Sequence, residues 1–196
     1  MPAELSFERG RTAVLIMDYQ QAMVSGVGGG ADALLERARR VLDAARAAGV
    51  PVIYIVVGFR EGYPEVSERN VLFARVKGSS RLLLGTPGAE IAPAVAPAPG
   101  DVTVVKHRVG AFHGTDLEVI LRAREIDTLV LLGIATSGVV LSTVRHAADA
   151  DYRLVVLADC CADADAEVHR CLLEKVFPRQ ATVSSSEAFV EALAGG

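Results

Sequence analysis

Residues 128–150, TLVLLGIATSGVVLSTVRHAADA, constrain the fold of this chain more than any other stretch. Leu129 to Leu132 is an unbroken apolar run, as expected of a strand buried on both faces. Gly133, Ile134, Ala135, Thr136, Ser137 and Gly138 then lead into a segment where Val140, Thr143, Val144 and Ala147 recur at helical spacing. The stretch predicts a buried strand, a tight turn and a helix. Small and hydroxyl residues leave the backbone N–H groups at the helix start accessible, and the macrodipole adds partial positive charge. The turn therefore suits an anion or a developing oxyanion. Such units are also simply how α/β proteins are built, so the chemistry has to come from other residues.

The rest of the chain repeats the alternation. Apolar strands are predicted at 12–17 (TAVLIM), 51–57 (PVIYIVV), 102–105, 153–157 and 181–183. Helices are predicted at 31–48, closed by Gly49, at 116–124, at 166–176 and from Ser186 onward. Residues 58–100 are irregular, with one short helix near 68–76 and a Pro- and Gly-punctuated excursion over 86–100. The 196 residues match one domain, and no internal repeat is visible. The expected fold is a single-domain three-layer α/β sandwich, a six-stranded, mostly parallel sheet with helices on both faces.

Charge and cysteine content narrow the partners. A net charge of −4 with basic residues scattered singly or in short pairs favours no nucleic-acid partner. No run approaches the ~18 apolar residues of a membrane span, and the first ten residues lack an apolar leader. A cytoplasmic protein is expected. Three cysteines, two adjacent at Cys160 and Cys161, form neither a disulfide framework nor a CxxC pair, and they are expected to be free thiols. Cys171 falls mid-helix and reads as core.

Parallel sheets bind ligands at the carboxyl ends of their strands. At that edge the sequence offers Asp18 after the first strand, Lys106 after the third, Thr136 and Ser137 after the fourth, and Asp159, Cys160 and Cys161 after the fifth. A carboxylate and an ammonium converging on a helix start make an acid/base site; two unrelated strand-end charges facing water are the competing reading.

Three ordered motifs carry a resemblance: LIMDYQ at the first strand end, VVKHRVGAFHGTDL around Lys106, and LVLLGIATSGVVLST followed by the DADYRLVVLAD strand. Together they resemble the isochorismatase-like hydrolase family, which includes the nicotinamidases and related cysteine hydrolases. The resemblance runs from about Arg11 to Val190. It implies a catalytic Asp at Asp18, a catalytic Lys at Lys106, and an oxyanion-binding turn at Ala135, Thr136, Gly138 and position 139. It also implies a cis peptide between Ile134 and Ala135. Where the family's cysteine members carry their nucleophile, this chain has Val139.

Valine cannot form an acyl-enzyme, so the thiol route to amide hydrolysis is closed at that position. The resemblance to true isochorismatases implies instead vinyl-ether or related hydrolysis, with Asp18 as acid/base and water as nucleophile. A general-acid Asp18 must be protonated in the complex, which requires burial. Lys106 opposes that, so on this reading it should contact a substrate carboxylate or water. The alternative is a catalytically retired family member that binds a small ligand or serves an oligomeric or structural role.

Gln20, Arg60 and Tyr63 are the candidate substrate contacts. Gln20 completes a DxQ spelling, and arginine suits the carboxylate of a small acidic substrate. Each also has a plain structural reading, as a brace for Asp18 or the turn and as solvated loop residues. Gly26, Gly28 and Ala31 spell GxGxxA, but Tyr19 to Ser25 separate them from the strand and no acidic residue follows the second strand. The stretch therefore reads as a loop or lid, and no cofactor is expected. Gly58, Phe59 and Arg60 stand where nicotinamidase relatives carry a DxH metal motif, so no metal is expected. The four histidines read as structural or surface residues. With 51% hydrophobic residues and the excursion LLLGTPGAEIAPAVAPAP beyond the sheet, a homodimer or homotetramer is expected to cover an exposed apolar patch.

Overall fold

A computed structural model describes residues 5–195. Its frame is one six-stranded sheet formed by β1 (Thr12–Met17), β2 (Val52–Val57), β3 (Val102–Lys106), β4 (Thr128–Ile134), β5 (Arg153–Ala162) and β6 (Thr182–Ser184). The spatial order is β3-β2-β1-β4-β5-β6, and every pairing is parallel. Chain order reverses direction across the sheet between β1 and β4, and the carboxyl ends of those two strands are where sheets of this kind bind ligands.

Both faces of the sheet are covered, and strand alternation divides the core in two. Ala13, Leu15 and Met17 of β1 pack on one side with Leu129 and Leu131, under α4 (Leu117–Ala123) and α5 (Leu141–Asp149). Val14 and Ile16 face the other side with Val130 and Leu132, under α2 (Ala31–Ala47) and α7 (Ser186–Ala194). The 17-residue α2 buries Leu34, Ala38, Val41, Leu42 and Ala45, one stripe at helical spacing. Gly49, at φ 72, follows its end in the left-handed region that favours glycine there. Gly133 is fixed by packing: a Cβ at that position would lie 2.9 Å from Val140 Cγ2 and 3.2 Å from Met17 Cβ. Only a hydrogen lets the turn after β4 settle onto β1.

Several boundaries differ from the sequence reading. The fifth strand runs to Ala162 because its register against β4 shifts between Leu131 and Gly133, and Asp159, Cys160 and Cys161 lie inside it. Asp159 accepts hydrogen bonds from Ser186 N (2.8 Å) and Ser186 Oγ (2.6 Å), so it ties down the start of α7 instead of facing the carboxyl ends of β1 and β4. Helix α6 (Ala166–Cys171) gives way to a π-helical turn, Leu172–Val176, and Cys171 is exposed. The glycine-rich segment forms a 3-10 turn, Gly28–Gly30, leading straight into α2.

The 82–99 excursion does not project as an apolar flap. It folds along the sheet edge with Leu82, Ala89, Ala92 and Val95 buried, pinned by Ala92 N to Tyr19 O (2.9 Å) and Tyr54 Oη to Val95 O (2.8 Å). Among its large apolar side chains, Leu84 remains exposed. Among the described residues no helix is long and apolar enough to cross a membrane.

Candidate active site

Asp18 follows β1 at the carboxyl edge of the sheet. Its backbone N–H bonds to Ile55 O of β2 (2.8 Å), while Met17 pairs with Gly133 of β4 on the other side. The residue is therefore held between β2 and the turn after β4. Strand alternation would send Asp18 to the Val14 and Ile16 face, whereas Lys106 shares the opposite face with Val102 and Val104. Asp18 adopts φ 57, a left-handed conformation that breaks the alternation and that Asp tolerates better than most residues. Its carboxylate Oδ2 lies 2.8 Å from Lys106 Nζ.

The two strands that carry this pair are not neighbours, because β2 intervenes. The lysine stem spans the end of β2. Nζ also donates to Arg108 O (3.1 Å). Asp18 and Lys106 are 4% and 2% exposed, and Asp18 Oδ1 is buried with no hydrogen-bond partner. Burial raises the Asp18 carboxyl above its ordinary value; Lys106 pulls the other way and does not cancel it. Direct contact with Lys106 and an elevated pKa thus coexist, contrary to the expectation that Lys106 would have to point elsewhere.

Beside Asp18 the chain forms a π-helical turn, Thr136–Val140, that runs into α5. The Ile134–Ala135 peptide is cis, the geometry the resemblance implies. Ala135, Ser137 and Gly138 reach the surface while Thr136 and Val139 are buried. Val139 belongs to the same apolar cluster as Met17 and Phe112, so the position is filled with hydrocarbon. Two side chains outside the predicted set pin the turn. Asp163 Oδ2 accepts from Ser137 N (2.7 Å), and His169 Nδ1 lies 2.8 Å from Thr136 Oγ1. Burial alone would raise the Asp163 carboxyl, but hydrogen bonds from Ser137 outweigh it and hold the group below its ordinary value. The sequence signal for Asp163 was its place just past β5, next to β4; His169 carries no local signal, since α6 brings it in.

The predicted substrate contacts are placed differently. Gln20 is fully buried, and its amide is spent on backbone: Nε2 donates to Val57 O (2.8 Å) and Ala89 O (2.6 Å), and Oε1 accepts from Val57 N (2.9 Å). It braces the end of β2 against the excursion, and touches neither Asp18 nor the turn. Tyr63 packs with Phe59 and Phe73, and its hydroxyl donates to Arg81 O (2.7 Å). Arg60 is exposed and paired with Glu65 (2.6 Å). None of the three brings an uncommitted polar group to Asp18 and Lys106, because the excursion and the 59–82 segment consume them.

Cys160 and Cys161 are buried, and their thiols are pushed up, that of Cys161 to about 12. Tyr19 Oη donates to Cys160 O (2.6 Å), which fixes this part of β5 as core. Among the described residues no group of three or more His, Cys, Asp or Glu side chains is arranged to hold a metal ion.

A parallel sheet of this order, with a buried carboxylate–ammonium pair and a pinned turn at its switch point, defines a doubly wound α/β protein with a candidate acid/base site. Comparison with known proteins gives the family. Residues 12–188 match the isochorismatase domain. The isochorismatase family protein YecD of Escherichia coli O157:H7 is 35% identical over 184 residues, 93% of this chain and 96% of the relative. Ureidoacrylate amidohydrolase RutB of Methylobacterium radiotolerans is 31% identical over 214 residues, 98% and 83% of the two chains. A cysteine hydrolase from Pseudomonas syringae pv. phaseolicola superposes with a TM-score of 0.90 at 27% identity, covering 97% of this chain and 96% of that one. The chain belongs to the isochorismatase family of hydrolases.

Proposed function

We propose that this protein hydrolyses a small acidic molecule without a cysteine nucleophile, by vinyl-ether or related chemistry. Asp18 is the acid/base and water is the nucleophile. The observation that carries this reading is the Asp18 carboxyl: buried, above its ordinary pKa, with Oδ1 unpartnered and Oδ2 on Lys106. A buried carboxyl with a raised pKa and one unpartnered oxygen is suited to carry a proton to a substrate.

On a vinyl ether the proton passes from Asp18 to the terminal vinyl carbon. The resulting oxocarbenium carbon takes the oxygen of water, whose proton returns to the Asp18 carboxylate. The hemiketal then gives up its hydroxyl proton, the departing oxygen gains one as the C–O bond breaks, and an alcohol and a carbonyl product are released. Lys106 has three N–H donors, two of them used within the protein, and the third suits a substrate carboxylate. The carboxylate left on Asp18 suits the positive charge that develops on the ether carbon; the turn at 135–139 supplies less, because Ser137 N is held by Asp163 and Gly138 N by Ala135 O. RutB and N-carbamoylsarcosine amidase from Thermoplasma acidophilum, a structural neighbour at 26% identity and TM-score 0.73, are named for amide chemistry. Val139 argues against the thiol version of that chemistry here.

A screen of vinyl ethers, amides and esters with wild type and Asp18→Asn tests this. Asn accepts the left-handed backbone that Asp18 adopts, so it removes the carboxyl with little backbone cost. Turnover of a vinyl ether that falls at least ~100-fold in Asp18→Asn is expected of a general acid. Turnover that survives the substitution contradicts it. The burial of Asp18, Lys106 and Val139 favours a second reading, a family member that keeps the pair and has stopped turning over. Absence of turnover across the screen selects that reading.

A further inference from the structure

A cavity of about 450 Å³ lies at the opposite end of the sheet from Asp18 and Lys106, at the amino ends of β4, β5 and β6. Leu5, Phe7 and Val155, which share one face of the sheet, supply its apolar wall, and Arg153, Arg179 and Gln180 supply its charged and polar wall. Among the described residues no acidic side chain lines it. Neither Arg153 nor Arg179 has a carboxylate partner among the described residues. Arg145 donates to Gln180 Oε1, which fixes the Gln180 side chain and leaves its amide hydrogens uncommitted. Asp127, whose carboxyl senses Arg153, is already paired with Arg11, so two arginines outside any ion pair stand together here in a chain of net charge −4.

Both arginines stand on fixed backbone. Arg153 opens β5, its N–H bonded to Asp127 O (2.8 Å), and Arg179 closes the 3-10 turn Phe177–Arg179, which is tied to residue 181 through Ala181 N to Phe177 O (2.8 Å). A guanidinium fork matches a carboxylate or phosphate in the plane, and a pre-set backbone lowers the ordering cost of using it. The volume is in the range of small-molecule sites.

We propose that this cavity is a second ligand site, separate from the candidate active site, for a small organic anion. Its carboxylate or phosphate group is held by Arg153 and Arg179, and its apolar body lies against Phe7 and Val155. The test is a backbone-amide NMR titration of the full chain with benzoate, inorganic phosphate and neutral benzyl alcohol. Wild type and Arg153→Gln/Arg179→Gln are compared. Saturable shifts confined to residues 152–155 and 179–182 are expected, with benzoate binding more tightly than phosphate because only benzoate uses the apolar wall. At least a tenfold loss of affinity is expected in the double variant. Shifts that do not saturate, or equal affinity in the variant, overturn the proposal. So do shifts centred on residues 135–140, which would place the anion at the candidate active site. Should the double variant not fold, benzyl alcohol binding wild type as well as benzoate does overturns it equally.

Discussion

The side chains of Lys106 and Asp18 are 2% and 6% exposed, so their charges have almost no water to fall back on. Removing one partner of a buried pair strands the other, at a cost of about 3–5 kcal/mol, whereas removing both can be nearly neutral. Asp18→Asn and Lys106→Met should each destabilise the fold, and the double variant should be more stable than the sum by about 1–3 kcal/mol. Urea unfolding of the four proteins checks this; strict additivity would show that the pair is not energetically coupled. The thiols give a second expectation at this scale. Cys160 and Cys161 are buried with raised pKa values, while Cys171 is exposed, so one thiol of three should react promptly with a disulfide reagent at neutral pH. Rapid loss of two or three would reopen a thiol mechanism. Asp18 and Lys106 were legible in the sequence because each ends an apolar strand. The left-handed φ that lets them meet was not, since nothing in LIMDYQ distinguishes a strand end from a reversal.

Among elements, the turn after β4 depends on a neighbour. Asp163, just past β5, holds Ser137 N, and α6 delivers His169 to Thr136. Hydrogen bonds to charged groups contribute about 1.5–3 kcal/mol, so Asp163→Ala should lower stability by that order and loosen the turn. The pH dependence follows in sign. The folded-state pKa of Asp163 is depressed, so its contribution is present above the ordinary carboxylate value and is lost as pH falls through the folded value. Wild-type stability should therefore fall more steeply below about pH 4 than that of Asp163→Ala. Equal acid limbs in the two proteins would contradict the clamp. Gln20 shows why the DxQ spelling could not be assigned from sequence: its partners, Val57 and Ala89, lie 37 and 69 residues away. Tyr63 and Arg60 escaped for a related reason, because their loop folds back on itself through Arg81 and Glu65.

For the molecule as a whole, alternation of apolar runs and helical stripes was enough to give the layer architecture, because burial on both faces leaves a strand little choice of pattern. Strand order was not available that way; it depends on which edges the crossovers reach, and it put β2 between the strands of Asp18 and Lys106. The expected oligomer would need a different surface from the one the sequence suggests. The excursion is packed, and the apolar surface that remains comprises Val71 and Leu72 of α3 (Val71–Gly78), Leu84, Val105 of the edge strand β3, Val119 and Val168. Leu84 and Val105 both approach Gly58, which makes them one patch. Light scattering at micromolar concentration should show an oligomer that Leu84→Glu/Val105→Glu weakens; a wild-type monomer contradicts it.

The account turns on the protonation state of Asp18. Its folded-state pKa is raised, so the native protein binds the proton more tightly than the unfolded chain, and the associated stability fades as pH rises through the folded value. A carbon-detected NMR titration of aspartate carboxyls, with Asp18 assigned by its loss in Asp18→Asn, measures this directly. The account predicts that Asp18 titrates above the ordinary value of about 3.9 despite its contact with Lys106. A midpoint at or below that value would mean that Lys106 holds Asp18 as a permanent carboxylate, and the general-acid role would be contradicted.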